Sequence, residues 1–520
     1  MTFEQPSYKF RPPAGLTTGT PVRRPVVVIG AGPVGLTLAI DLARRGTKVL
    51  LLDDDATVSV GSRGICYAKR TLEIFDRLGC AAPMLDKGVT WQVGKVFFGA
   101  NQVYAFDLLP EGGHRFPAFI NLQQYWLEKF LVDRAHNLPE IELCWRNRVT
   151  GVVPHATHVT LSVETPAGGY EIEADWVVAC DGARSPTRTA LGLDFRGRVF
   201  EDRFLIADVR MKAQFPTERW FWFEPPFHEG GSTLLHKQPD DLWRIDFQLG
   251  WGADPETEKD PARVTARVRA MLGPDVEFDL EWVSVYTFQC RRLERMRAGR
   301  VLFAGDAAHQ VSPFGARGAN SGVQDADNLG WKLALVASGN APERLLDSYD
   351  AERTQAADEN ILASTRATDF ITPKNAGARR LRDATLELAR DHAFARRLVN
   401  SGRLSLPTHH AHSPLNTPDM DDFAGGPPPG SPALDAPDGK GWLLDRLKSG
   451  FTLLQFGGDG HARASVVPPR ATLAWQRYDA KPGTVYLFRP DQHVCYRARR
   501  FDQAAIDAAI SRATAQESAT

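Results

Sequence analysis

The stretch Pro25-Val26-Val27-Val28-Ile29-Gly30-Ala31-Gly32-Pro33-Val34-Gly35-Leu36 decides how this chain is read. A β-branched run enters a glycine-rich turn. Beyond it Leu36, Ala39, Ile40 and Ala43 recur at helical spacing until Gly46. Val49-Leu50-Leu51-Leu52 is a second strand, ending at Asp53. Strand, GxGxxG turn, helix, strand and terminal acid together are the signature of a dinucleotide-binding unit. Gly30 permits the tight turn, Gly32 lets the backbone approach a pyrophosphate, and Gly35 lets the helix pack on the strands. The helix start, opened by Pro33, offers the free N–H of Val34 and a positive dipole end to phosphates. Asp53 can accept hydrogen bonds from a ribose diol. This motif alone leaves FAD and NAD(P) both open.

Around that unit the composition is that of an ordinary globular chain. At roughly 150 residues per domain, 520 residues suggest about three units. Lys+Arg 62 against Asp+Glu 63 leaves a net charge of -1, which excludes a strongly basic nucleic-acid binder and a polyacidic solvating chain. The 43% hydrophobic content excludes wholesale disorder. Six scattered cysteines contain no CxxC pair, so no metal site and no dithiol redox centre is expected. No secretory leader and no apolar run near the ~20 residues of a membrane span is visible, so a soluble cytoplasmic protein without nucleic-acid or membrane partners is expected.

Two more motifs follow in order. The strand Asp175 to Cys180 runs into Asp181-Gly182-Ala183-Arg184-Ser185-Pro186-Thr187-Arg188. The run Arg300 to Ala304 enters Gly305-Asp306-Ala307-Ala308-His309 and continues through Pro313-Phe314-Gly315-Ala316-Arg317-Gly318-Ala319-Asn320. A helical stretch from Val323 to Ala337 contains Asp325-Ala326-Asp327-Asn328-Leu329. With these three ordered motifs the chain resembles the class A, single-component flavoprotein aromatic hydroxylases, the p-hydroxybenzoate hydroxylase-like and phenol hydroxylase family. The resemblance spans residues 25–340 and is strongest to hydroxylases of the 3-(3-hydroxyphenyl)propionate type.

The resemblance implies an α/β fold: a Rossmann-like FAD-binding domain, an inserted mixed β-sheet substrate domain and a C-terminal thioredoxin-like domain. It implies bound FAD, NADPH or NADH as transient reductant, O2, and a small phenolic substrate, and leaves a homodimer open. Asp306 would bind the ribityl chain. Asp181 and Gly182 would form a turn shared by FAD and the reductant, with Arg184 and Arg188 supplying charge to the reductant's phosphates. Arg63 and Gln124 would contact flavin, with Gln123 competing for the second role. A helix starting near Asn320, with Gly318 and Ala319 before it, would turn its positive end toward the flavin pyrimidine edge, where reduced flavin is anionic. Pro313 and Phe314 would lie near the reacting carbon. Many family members carry Gly-Gln-Gly where this chain has Ala316-Arg317-Gly318. The extra cation could select an anionic substrate or pair with a local carboxylate. His309, on the GD turn, reads as a structural or flavin-packing residue.

Between the DG and GD segments, Trp220-Phe221-Trp222-Phe223, Leu234-Leu235-His236 and Trp243 to Phe247 read as strands. In the family this sheet covers the flavin and holds the substrate, here assigned to Trp222, His236 and Phe314. A flavin C4a-hydroperoxide needs a dry pocket, and a phenol needs a base or acceptor at its oxygen. His236, Tyr286 and His114 are candidates for that acceptor. Pro313, Arg317, His236 and Tyr286 form the expected catalytic set. Two other readings remain: a flavin-dependent halogenase, because Trp220-Phe221-Trp222 is similar to the start of a WxWxIP signature, and a non-catalytic flavin-binding sensor.

The expected layout is a flexible arm at 1–21, an FAD-binding domain from 22–84, 113–200 and 296–372, and a substrate sheet from 85–112 and 201–295. A helical connection at 373–414 and a Pro/Gly linker at 415–438 then lead to a thioredoxin-like unit at 439–515. That unit carries Arg489-Pro490-Asp491-Gln492-His493-Val494, which resembles the RPDxxV stretch of phenol hydroxylase relatives.

Overall fold

A computed structural model describes residues 3–213, 215–250, 252–399, 404–439, 441–458, 461 and 464–517. Its first sheet is built on the opening motif. Val22–Ile29 pairs in parallel with Val49–Leu52 on one side and Gly168–Ala179 on the other. Val301–Phe303 and Ile141–Cys144 extend the parallel sheet outward. Val26, Val27 and Val28 have no solvent exposure. An uninterrupted apolar run is what a parallel strand covered on both faces requires. The helices Pro33–Arg44 and Gly318–Ala337 pack against each other, so the first and third motifs meet.

The second sheet has eight strands and carries the aromatic middle of the chain. Its strands alternate sharply between two faces. Trp220, Trp222, Leu235, Trp243, Ile245 and Phe247 pack on one face with Val264 and Val268 of the helix Pro261–Leu272. Phe221, Phe223, Phe204 and Phe288 point the other way and cluster with Phe314, from the segment preceding the Gly318 helix. The inner face is thus the one turned toward the nucleotide-binding lobe. Arg244 anchors the two together: it grips Asp208 through two bonds of 2.8 Å and donates to the carbonyls of Ser62 and Arg63.

Several local expectations are corrected. The N-terminal arm is pinned rather than loose: Tyr8 stacks on Trp145 at 4.5 Å and Gln5 donates to Thr57 and Val58. The helical connection expected at 373–414 contains two helices, Ala376–Asp391 and Ala393–Val399, parted because His392 takes extended φ and ψ. The Pro/Gly stretch is not a free tether. Gly430 and Ala433 donate backbone bonds to Val494 and Gln492, and a Cβ at Gly430 would sit 2.3 Å from the His410 carbonyl.

The C-terminal sheet runs Ala464–Val467, Thr452–Phe456, Val485–Phe488, Val494–Ala498. It is locked to the rest by ionic contacts. Arg489 and Lys332 both hold Glu352, Arg489 also holds Asp491, and Arg70 reaches the Asp491 carbonyl at 2.6 Å. All four charged groups around Glu352 are buried, so each depends on its partner to offset desolvation. Among the described residues no helix is long and apolar enough to cross a membrane.

Candidate active site

The glycines of the first motif divide by what limits them. A Cβ at Gly35 would lie 1.9 Å from the Gly30 carbonyl oxygen, so helix and turn touch there. Gly30 has φ +102° and its Cβ would meet the Cys180 carbonyl at 2.5 Å. Gly32 has nothing within 4 Å of its Cβ position and caps the helix Pro33–Arg44. The fold therefore needs Gly30 and Gly35, and the open space at Gly32 fits a pyrophosphate. Pro33 occupies the first turn, and Val34 is a packing peg: Cβ atoms at Gly305 or Gly322 would come within 2.8 or 2.6 Å of its side chain. Asp53 accepts the N–H groups of Ala31 at 2.5 Å and Asp55 at 2.9 Å. Burial outweighs these bonds and pushes its pKa up to about 6. Hydroxyl donors from a ribose would relieve that carboxylate.

The GD turn is held from behind. Asp325 accepts the Gly305 N–H at 2.9 Å, His309 Nε2 at 2.7 Å and Arg353 Nε at 2.6 Å. His309 is thereby a structural residue and not a base. Asp306 points away from that cluster: it is exposed, yet surrounding protein still raises its pKa, opposed by His309 and Arg63. Asp306 and Arg63 are both exposed and close enough to interact, as the ribityl reading of Asp306 and the flavin reading of Arg63 require. Asp181 caps the Thr187 N–H with one oxygen, its other oxygen is buried without a partner, and Gly182 takes φ +76°. Arg184 is exposed beside it, free to meet a charged ligand's phosphates. Arg188 is not. It donates to the carbonyls of Ala307 and Ala183 and lies 3.8 Å above the Phe195 ring, which ties the DG segment to the GD segment.

Gln124 and Gln123 separate cleanly. Gln123 is fully buried and donates to the Pro239 carbonyl. Gln124 accepts the Gly64 N–H at 3.1 Å, donates to Glu128 at 2.8 Å, and lies with Ala319 around Gly64. Of the two, Gln124 borders the Ser62–Gly64 loop.

The third helix begins at Gly318, two residues before the expected start. Its ladder opens with Ser321 donating to Arg317, so the N–H groups of Gly318, Ala319 and Asn320 precede it. The Asn320 side chain, however, is a clamp and not a cofactor contact. It accepts from Ala68 and Thr71 and donates to the carbonyls of Cys66 and Ala316. Ala316 takes φ +52°, so the turn that glycine would favour is kept with alanine in a left-handed conformation.

A cavity of about 450 Å³ opens beside this segment, walled by Phe106, Phe221, Phe223, Phe314, Arg219 and Arg317. Pro313 closes the turn by accepting the Ala316 N–H at 3.0 Å. Phe314 meets Phe204 and Phe288 edge-on at 5.0 and 5.2 Å. Tyr286 stands on the same sheet face, 37% exposed, its hydroxyl pushed up to about 12 by burial and by Asp306. His236 is also on that face but buried, with Nδ1 unpartnered. Burial and the cations Arg219 and Arg244 hold it well below the usual imidazole range, so it is neutral. Two expectations fail. Trp222 lies on the opposite face, stacked on Phe97 at 5.0 Å, and Phe221 takes the site-facing position. The same alternation accounts for Trp220-Phe221-Trp222 as an ordinary strand. His114 sits instead against Arg477 of the C-terminal unit, 3.2 Å away.

Sequence reading missed Arg219 and Asp246. Asp246 is half-buried on the inner face, its Oδ1 has no partner, and burial pushes its pKa up to about 7. Both are polar residues within aromatic strands, and that break in composition was their only signal.

Comparisons with known proteins agree with this geometry. The family described as FAD binding domain matches residues 23–364. The chain belongs to that family and is an FAD-dependent aromatic hydroxylase, a monooxygenase. It is 31% identical over 509 residues to the 12-dehydrotetracycline 5-monooxygenase/anhydrotetracycline 6-monooxygenase of Streptomyces rimosus, covering 92% of this chain and 96% of that one. It is 29% identical over 478 residues to the 3-(3-hydroxyphenyl)propionate/3-hydroxycinnamic acid hydroxylase of Mycolicibacterium smegmatis, covering 89% and 82%. Among solved structures, the flavin-dependent monooxygenase PieE, in complex with FAD and substrate, shares the fold with a TM-score of 0.80. That match has 22% identity and covers 96% of this chain and 100% of PieE.

Proposed function

We propose that this enzyme hydroxylates a phenolic ring, taking electrons from NADPH or NADH and oxygen from O2. The observation that carries the reading is the aromatic cavity abutting Pro313–Gly318, where the GD turn and the start of the third helix converge. When bound, FAD supplies the reductive activation of oxygen. The chain's own residues do the rest. Gly32 and the helix start receive the pyrophosphate, Asp53 the ribose, and Asp306 the ribityl chain. The N–H groups of Gly318 to Asn320 stabilise negative charge on the pyrimidine edge. The phenylalanine walls hold the ring and exclude water. Tyr286 and the neutral His236 are offered as hydrogen-bonding groups on the sheet face that carries the cavity's phenylalanines.

The test is to follow NADH and NADPH oxidation by the FAD-loaded protein with a panel of substituted phenols and to identify products. Phenol-stimulated oxidation yielding hydroxylated product is expected. Stimulated oxidation with no hydroxylated product would refute the reading. A chlorinated product that requires halide would replace it with a halogenase. We also infer a thioredoxin-like C-terminal unit. Its strand order supports this, since only Val485–Phe488 runs against the other three strands.

A further inference from the structure

The helix Ala376–Asp391 has a packed face and a bare one. Arg382, Thr385, Leu386 and Ala389 are buried, and Leu386 and Ala389 join Val103 and Tyr104 in the inner cluster. On the other side Leu381 is 70% and Leu388 47% exposed, with the small, exposed Ala384 between them. At 3.6 residues per turn these three fall within roughly 60° of one another. Arg380, Glu387 and Asp391 are also exposed, and by the same count all three lie along one edge of that stripe. Arg379 and Arg382 turn to Glu224, whereas Arg380 and Glu387 make no ion pair within the chain among the described residues. Beyond the bend at His392 the helix Ala393–Val399 adds Phe394 and Leu398, each 63% exposed, and Leu398 also lines the cavity. Of the twelve large hydrophobics exposed among the described residues, four thus fall between 381 and 398, which makes a patch rather than a scatter.

We propose that a second copy of this chain covers this face, the two Ala376–Asp391 helices packing antiparallel about a two-fold axis at Ala384. The stripe is apolar along its centre and charged at its edge, which is the anatomy of a protein contact. The edge carries both signs, so an anionic surface drawn to Arg380 would be repelled by Glu387 and Asp391. A two-fold contact must complement itself: where one residue meets another, the second meets the first. This face does so. With the axis at Ala384, the position opposite 380 is 388 and the position opposite 381 is 387. Arg380 then lies beside Glu387 of the second copy, and Leu381 beside Leu388 of the second copy, each one residue rise of ~1.5 Å from exact opposition. Ala384 meets itself, and its small side chain lets the helices approach. A parallel pairing would put the two charged edges on opposite sides of the contact, where Arg380 and Glu387 do not meet. Helices of 16 and 7 residues make a small interface, so a reversible dimer of micromolar strength is expected. The inference concerns assembly and holds whatever ring the cavity takes.

The test is sedimentation equilibrium of the FAD-loaded protein from about 1 to 100 µM, the range in which a small interface assembles. The parent should pass from monomer to dimer within it. Arg380→Glu and Glu387→Arg should each raise the dissociation constant at least about tenfold, because the two-fold axis repeats every like-charge contact. The double variant Arg380→Glu/Glu387→Arg should dimerise nearly as the parent does. Leu388→Asp should stay monomeric throughout. All three positions are exposed, so the variants should melt as the parent does. A parent that is monomeric at the top of the range would overturn the proposal, and so would a dimer that none of the variants weakens. A double variant no tighter than the single ones would overturn the antiparallel register. A monomeric parent that binds phosphatidylglycerol vesicles, with that binding lost in Leu388→Asp, would give the face to a membrane instead.

Discussion

Replacing Gly32 by alanine separates a glycine the ligand needs from glycines the fold needs. At Gly35 the new methyl would sit 1.9 Å from a backbone oxygen. At Gly32 it meets nothing within 4 Å, and φ is -75°, which any residue adopts. Alanine is a poorer helix cap than glycine by up to about 1 kcal/mol. It also restricts the unfolded chain, which returns about 0.4–1 kcal/mol. These terms offset, so the FAD-free protein should melt as the parent does. The methyl does fill the space into which a pyrophosphate would settle. Losing one charge-assisted backbone bond costs about 1.5–3 kcal/mol. At 1.4 kcal/mol per factor of ten, FAD affinity should fall roughly 10- to 150-fold. Fluorescence titration of FAD into the cofactor-free protein, beside a thermal melt, reads both quantities. The reasoning fails if Gly32→Ala binds FAD like the parent. It also fails if that variant destabilises the FAD-free protein as much as Gly35→Ala does.

Asp53→Asn should stabilise the FAD-free protein at neutral pH and weaken FAD binding. The folded pKa of about 6 lies above the reference value of 3.8. The stability attached to this carboxyl is therefore complete below about pH 4 and lost as pH rises through 6. Urea titrations at about pH 5 and 7 should show the parent, and not the variant, losing on the order of 1–3 kcal/mol from this site. Asp306→Ala should release FAD more readily with little change in the melt of the FAD-free protein, because its side chain is exposed; unaltered retention would remove the ribityl assignment. Asp325→Ala should cost about 3–5 kcal/mol, since His309 and Arg353 would lose their shared buried partner, and denaturant unfolding measures it. Trp222→Ala should cost about 3–5 kcal/mol of stability without changing which phenols bind, whereas Phe221→Ala should change binding; the reverse outcome would mean the sheet faces are misassigned.

The opening βαβ unit was legible because turn, helix and acid are close in sequence. Its geometry is set by neighbouring residues: the clash that demands Gly35 is with Gly30, five positions away. The clamping role of the Asn320 side chain was not legible, because a polar residue at a helix start looks alike as ligand or clamp. Its partners Ala68 and Thr71 lie some 250 positions away. Arg188 was misread likewise, since the carbonyl of Ala307 that it binds belongs to another motif.

The sequence by itself determined the nucleotide-binding unit, the order of the three motifs and hence the family. Only the tertiary structure decided which face of the aromatic sheet meets the site. In Arg219-Trp220-Phe221-Trp222-Phe223 both faces of the strand are rich in aromatics, so alternation alone does not say which points inward. The helix Pro261–Leu272 covers the tryptophan face and leaves Arg219 and Phe221 to the cavity. The pairing of Arg219 with Arg317 likewise exists only in the fold. The two residues sit on different elements, and they approach because the sheet packs against the start of the third helix.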